Sequence, residues 1–142
     1  MFKKVLIAED HESANISVQK TLTDLQILNS SYVFYCDDAL LQLKKANEQV
    51  EPFDLLITDL SFEEDHPPQQ IKDGMALIAA AKVLQSNLKV LVFSSENKPV
   101  LIDQLFKEFG INAYVRKARH DAKDLKRAIE AVSQGKKYLS ED

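Results

Sequence analysis

Short apolar runs of strand length alternate along this chain with stretches whose apolar residues recur at helical spacing. Residues 3–9 carry the run Val5-Leu6-Ile7-Ala8 and predict a first strand. Residues 12–26 place Ala14, Val18, Leu22 and Leu25 on one face of a helix. Tyr32-Val33-Phe34-Tyr35-Cys36 is aromatic and β-branched and predicts a second strand. Asp37 and Asp38 then suit the cap of a helix bearing Leu40 and Leu43. Phe53 to Thr58 is nearly continuous in apolar character, as expected of a strand covered on both faces. A polar stretch, Glu63 to Lys72, precedes a helix opened by Asp73 and Gly74 and carrying Met75, Ile78, Ala79 and Val83.

Lys89–Phe93 predicts the fourth strand and Ile111–Val115 the fifth. Between them Asn97 is the expected cap of a helix with Pro99 in its first turn and Gly110 just past its end. Asp121 is the expected cap of a last helix whose Leu125, Ala128, Ile129 and Val132 face inward. Five strand–helix units follow. Such alternation implies an α/β domain with a parallel sheet, right-handed crossovers and helices on both faces. The doubly wound strand order 2-1-3-4-5 is the expected arrangement, and it sets strands 1 and 3 side by side.

Length and charge narrow the function classes. At 142 residues the chain is expected to form one domain, with no internal repeat and no linker within it. Lys and Arg number 18 against 22 Asp and Glu, a net charge of −4, so no basic field invites nucleic acid. Cys36 is the only cysteine and sits in an apolar run, which reads as a buried inert thiol and fits a reducing cytoplasm. The first apolar run breaks at Glu9-Asp10, too early for a secretory signal, and no run approaches the roughly 20 residues of a membrane span. Three glycines leave no phosphate-binding glycine loop.

Candidate chemistry lies at the strand ends. The first run stops at Glu9-Asp10, the third at Asp59, the fourth at Ser94-Ser95, and the fifth reaches Lys117 shortly after Tyr114. The carboxyl ends of parallel strands share one edge of the sheet, where ligands bind. Crowded carboxylates repel one another unless a cation neutralises them, and magnesium takes one or two carboxylates plus phosphate oxygens and waters. Asp10 and Asp59 are candidates to ligate directly, Glu9 through water, and Ser61 through its backbone carbonyl. Asp59 is the candidate nucleophile for a phosphoryl group. Lys117 is the expected partner of Asp59, and afterwards of the phosphoryl oxygens. Ser94 offers a hydroxyl, and Tyr114 reads equally as a half-buried strand aromatic or as a two-rotamer switch. His11, His66 and His120 lack metal-ligand spacing and receive no role.

Taken in order, Ala-Glu-Asp-His at 8–11, Leu-Leu-Ile-Thr-Asp-Leu-Ser at 55–61, Val-Phe-Ser-Ser at 92–95 and Ala-Tyr-Val-Arg-Lys at 113–117 resemble the receiver domain of bacterial two-component response regulators. The resemblance covers Lys3 to about Gln134. It implies a flavodoxin-like fold, bound Mg2+, and Asp59 as the residue phosphorylated by a sensor histidine kinase or a phosphotransfer protein. It also implies Glu9 and Asp10 as the acid pair, Ser94 as the hydroxyl, Tyr114 as the switch aromatic and Lys117 as the lysine of the pattern. Output through the last strands and helices, homodimers among them, is implied by the same analogy.

The ending Ala-Ile-Glu-Ala-Val-Ser-Gln-Gly-Lys-Lys-Tyr-Leu-Ser at 128–140 resembles the LuxR-type transcription-factor subgroup. That resemblance implies a receiver over 1–135, with 136–142 starting a linker to a helix-turn-helix domain. Two departures stand out. Ala118 follows Lys117 where many receivers have proline, and Phe62-Glu63 with a late Gly74 replaces the usual Met-Pro and early glycine. The Glu63–Lys72 loop reads first as a tolerated insertion, then as a shield or a kinase-recognition element. The competing readings are a pseudo-receiver that only binds proteins and an aspartyl-phosphate phosphohydrolase. The latter commonly has Asp-x-Asp, and Asp59-Leu60-Ser61 lacks the second acid.

Overall fold

A computed structural model describes residues 1–63 and 68–140. The elements run β1 (Val5–Ala8), α1 (Glu12–Asp24), β2 (Ser30–Val33), α2 (Cys36–Glu48), β3 (Leu55–Thr58), α3 (Gly74–Leu84), β4 (Lys89–Ser94), α4 (Pro99–Lys107), β5 (Ala113–Arg116), α5 (Asp121–Ser133) and β6 (Tyr138–Leu139). All strand pairings are parallel. The order is β2-β1-β3-β4-β5-β6, so the doubly wound arrangement stands, with six strands in place of the expected five.

The sixth strand is two residues long and closes onto the outer edge of β5. Tyr138 N donates to Asn112 O, and Ser140 N donates to Tyr114 O. Ser140 Oγ accepts from Arg116 N, and the Tyr138 hydroxyl donates to Asp124 Oδ1. A pattern two residues long is too short for periodicity to register.

Alternation along each strand sorts its side chains into two cores. Leu6, Leu56, Val90, Val92 and Tyr114 face α2, α3 and α4, packing on Ala39, Leu43, Leu77, Ile78 and Leu105. Val5, Ile7, Leu55, Ile57, Leu91 and Phe93 face α1 and α5, packing on Val18, Leu22, Leu125, Ile129 and Val132. The central strands are buried on both faces, which is why β1 and β3 read as unbroken apolar runs.

Four local expectations shift. β2 begins two residues earlier than the aromatic run and ends at Val33, and Cys36 opens α2 instead of closing the strand. The β2 strand lies at the sheet edge with Tyr32 and Phe34 exposed, so its aromatics do not mark a core. Asp37 does not cap α2: Tyr35 occupies that position, and the Asp37 carboxylate accepts from Gln70 N and Ile71 N, tying the long β3–α3 loop to the start of α2. Asn97 and Asp121 each sit one residue off the cap, which falls to Lys98 and His120. Asp73 caps α3 as expected, its Oδ1 accepting from Ala76 N. His66 and Pro67, and the end of the chain at 141–142, lie outside the described residues.

Candidate functional site

Register fixes the heart of the site. Ala8 pairs with Thr58, and Asp59 N donates to Ala8 O at 3.2 Å, so the residues that follow each strand, Glu9 and Asp59, emerge together. Both are 2–3% exposed. Neither could be carried there without the apolar strands behind it, since an isolated carboxylate resists burial.

Lys117 arrives from the end of β5. Its backbone N donates to Ser94 O at 2.8 Å, which locks the β5–α5 loop against the end of β4. Its Nζ then reaches 2.7 Å from Asp59 Oδ2 and 3.0 Å from Glu9 Oε1. The opposite Asp59 oxygen, Oδ1, accepts from Leu60 N at 2.6 Å, so the carboxylate plane is held from both sides. Burial disfavours the Lys117 charge, but the hydrogen bonds to Asp59 and Glu9 outweigh it and raise its pKa above the usual lysine value. Glu9 also moves upward, because burial and then the Asp59 charge outweigh the help it receives from Lys117. One ammonium is thus insufficient for the negative charge gathered here.

Asp10 points into the same corner. Its Oδ2 accepts from Glu63 N at 2.9 Å, which draws the start of the β3–α3 loop over the site. Its Oδ1 is buried and accepts no hydrogen bond. Its near neighbour is the His11 ring, with Nδ1 at 3.1 Å, and a buried carboxylate oxygen that accepts no hydrogen bond is costly, so a cation would satisfy it. Glu9, Asp10, His11 and Asp59 each present a ligand atom within 4.8 Å of the others, so the acid cluster fits a divalent cation site. Hydrogen bonding to Glu9 raises the His11 pKa above 6.5, against burial and Lys117.

The remaining candidates form a second group. Tyr114 is 1% exposed, and its hydroxyl donates to Glu96 O at 2.6 Å. Burial pushes its phenol up to about 12, so it is a neutral donor at physiological pH. Ser94 is buried too, but its Oγ accepts from Glu96 N at 3.2 Å and is not bonded to Asp59. Ser61 is exposed, with its N–H 3.5 Å from Asp59 Oδ1. The structure therefore brings Glu9, Asp10, Asp59 and Lys117 into contact, and sets Ser94 and Tyr114 beside them around Glu96.

Two participants escaped sequence reasoning. His11 was given no role, yet its Nδ1 stands 3.0 Å from Glu9 Oε2, 3.1 Å from Asp10 Oδ1 and 3.5 Å from Asp59 Oδ2. Its position directly after the acid pair was the available signal. Gly74 is expected to open a helix and to fall late after Asp59, with no contact to Asp59 foreseen. A Cβ there would stand 2.0 Å from Asp59 O, so only glycine lets the start of α3 press against the Asp59 backbone. Gly74 N donates to Leu60 O at 2.8 Å across that contact.

No protein-family model matches the chain, and no curated protein matches it. Solved structures do. The chain is similar to the isolated REC domain of RcsB from Salmonella enterica serovar Typhimurium in the presence of phosphomimetic BeF3-, at 26% identity and TM-score 0.77, covering 98% of this chain and 94% of that one. It is similar to RcsB of the same organism bound to promoter P1flhDC, at 28% identity and TM-score 0.77, covering 98% of this chain and 63% of that one. A LuxR-family response regulator from Aurantimonas sp. SI85-9A1 shares the fold at 17% identity and TM-score 0.79, covering 99% of this chain and 91% of that one. By fold and near-full-length coverage, the chain is similar to the receiver domains of two-component response regulators.

Proposed function

We propose that the chain is a phosphorylation-dependent signalling switch in which Asp59 accepts a phosphoryl group from the histidine of a sensor kinase or phosphotransfer protein. The observation that carries this reading is the ion pair at 2.7 Å between Lys117 Nζ and Asp59 Oδ2, set beside the two further carboxylates Glu9 and Asp10. The Asp59 carboxylate is oriented by its neighbours, Leu60 N on one oxygen and Lys117 Nζ on the other, which is what a nucleophile needs. Its oxygen forms the new P–O bond as the donor's P–N bond breaks, and the leaving imidazole takes the electron pair and a proton. Lys117 then shifts to the phosphoryl oxygens, a charge-assisted contact. Glu9, Asp10, Asp59 and the Ser61 carbonyl are the groups that would hold Mg2+. When bound, the ion supplies charge neutralisation for the incoming phosphoryl group.

Ser94 and Tyr114 report the event. A Ser94 hydroxyl drawn toward the phosphoryl group would leave Glu96 N, and the Tyr114 hydroxyl is bonded to the carbonyl of the same Glu96. The chain itself acts as a phosphoacceptor and not as a turnover enzyme, a reading consistent with Ser61 in place of a second acid. Transcriptional output through a helix-turn-helix domain beyond residue 135, with homodimer formation, is the proposed downstream role; likeness to RcsB, which has been solved bound to promoter P1flhDC and as two dimers on two parallel DNAs, supports it. A cytoplasmic location accords with the absence of any described helix long and apolar enough to cross a membrane.

The test is intact-mass analysis after incubation with Mg2+ and phosphoramidate. One acid-labile phosphoryl adduct per chain is expected on the wild type and none on Asp59→Asn. An equal adduct on Asp59→Asn would refute the acceptor assignment. Absence of any adduct on the wild type, with no millimolar Mg2+ binding, would favour the pseudo-receiver.

A further inference from the structure

His11 occupies a place that the oxygen chemistry of the site does not account for. It is the residue preceding α1, with no side-chain capping bond, so its ring is not spent on the helix. Its backbone N–H already donates to Glu9 Oε2 at 3.1 Å, and Nδ1 approaches that same oxygen at 3.0 Å. Nδ1 also stands 3.1 Å from Asp10 Oδ1, the buried oxygen that accepts no hydrogen bond. A single ring N–H cannot serve three carboxylates at once. Donor atoms that share one tetrahedral ion at about 2.1 Å stand roughly 3.4 Å from one another. The spacings from Nδ1 to Glu9, Asp10 and Asp59 run from 3.0 to 3.5 Å, in the range for neighbouring ligands of one ion.

We infer that His11 is a nitrogen ligand of the acid cluster and makes it a mixed site for a borderline divalent transition ion of the Zn2+ class. The inference rests on the cation-binding part of the switch reading and extends it. Magnesium is a hard ion that favours oxygen and gives up water reluctantly, whereas imidazole strengthens binding of zinc and its neighbours. With one imidazole and three carboxylates engaged, an ion of this class has its usual four protein donors. Few positions then remain for a phosphoryl oxygen, so Zn2+ opposes the Mg2+-dependent labelling of Asp59.

The test uses the whole chain and the metals alone. Zn2+ and Mg2+ affinities are measured by calorimetry on wild type, His11→Ala, His11→Gln and the exposed-histidine control His120→Ala. The ratio of Zn2+ to Mg2+ affinity is expected to fall about 10-fold or more in both His11 variants, at least what loss of a mere ligand-supporting partner costs, and to hold in His120→Ala. The visible spectrum of the Co2+-loaded protein is expected to change in the same two His11 variants. An unchanged ratio and spectrum in them would overturn the inference while leaving the Mg2+ switch intact. Loss of the ratio in His120→Ala would place the ion elsewhere and overturn it equally. Binding of Zn2+ through His11 with no Mg2+ binding to wild type would sustain the inference and sink the Mg2+ reading.

Discussion

The corner at the ends of β1 and β3 and the corner at the ends of β4, β5 and β6 are built on different physics. In the first, Glu9, Asp10 and Asp59 are forced together by strands buried on both faces, and charge is left over after Lys117 and His11 have been counted. In the second, the bonds that link the strand ends are between neutral groups: Tyr114 hydroxyl to Glu96 O, Glu96 N to Ser94 Oγ, Ser140 N to Tyr114 O and Arg116 N to Ser140 Oγ. The charged corner stores electrostatic cost that a cation or phosphoryl group can change by several kcal/mol. The neutral corner holds its geometry through bonds worth about 1 kcal/mol each. Lys117 belongs to both, with its backbone bonded to Ser94 O and its ammonium to Asp59. A large perturbation at one end can thereby reset a shallow arrangement at the other.

The largest break is expected from Gly74→Ala. The added methyl collides with Asp59 O, so either α3 or the Asp59 backbone must move. A loss of about 3 kcal/mol or more is expected in urea denaturation. Next comes Lys117→Met, which leaves Glu9 and Asp59 buried without their ammonium. A loss of about 3 kcal/mol is expected without metal, with part of it recovered in saturating Mg2+ by mass action. Thermal melts with and without Mg2+ check both halves.

In the neutral corner, Tyr114→Phe removes the bond to Glu96 O together with the hydroxyl's contact to Ser94, and about 1 kcal/mol should be lost. Metal affinity should be unchanged, which calorimetry would show. The smallest effect sharpens the contrast through pH. The folded pKa of Glu9 is raised, so its stabilising contribution is full below the ordinary value of 4.5 and is lost as pH rises through the folded value. At neutral pH the burial of Glu9 therefore works against the metal-free fold. Glu9→Gln should raise the melting temperature by about 2 °C at pH 7, and the gain should vanish near pH 4. A gain that grows on acidification would show that Lys117, not burial, governs Glu9.

Much of this was legible in the residues. The apolar runs ending at Glu9-Asp10, Asp59, Ser94 and Lys117 foretold that these residues gather at one sheet edge, because in a parallel sheet strand ends converge whatever their separation in sequence. The two cores followed from alternation and helical spacing. What the sequence concealed has physical causes. β6 is held by backbone bonds and a serine hydroxyl that leave no periodic trace. The bounds of β2 shifted because its aromatic run continues past the strand to the start of α2, and the caps shifted because Asp37 and Asp121 bond to neighbouring loop N–H groups from inside the first turn. His11 and Gly74 matter through single contacts at close range, which depend on a loop path that no pattern encodes.

The coupling of the two corners through Asp59 is tested most directly by backbone amide NMR on beryllofluoride addition with Mg2+. The account predicts saturable shifts not only at Asp59 and Leu60 but also at Ser94, Glu96, Tyr114 and Ser140 in wild type, and none of these in Asp59→Asn. Shifts confined to residues touching Asp59, with Glu96, Tyr114 and Ser140 unmoved at saturation, would contradict it.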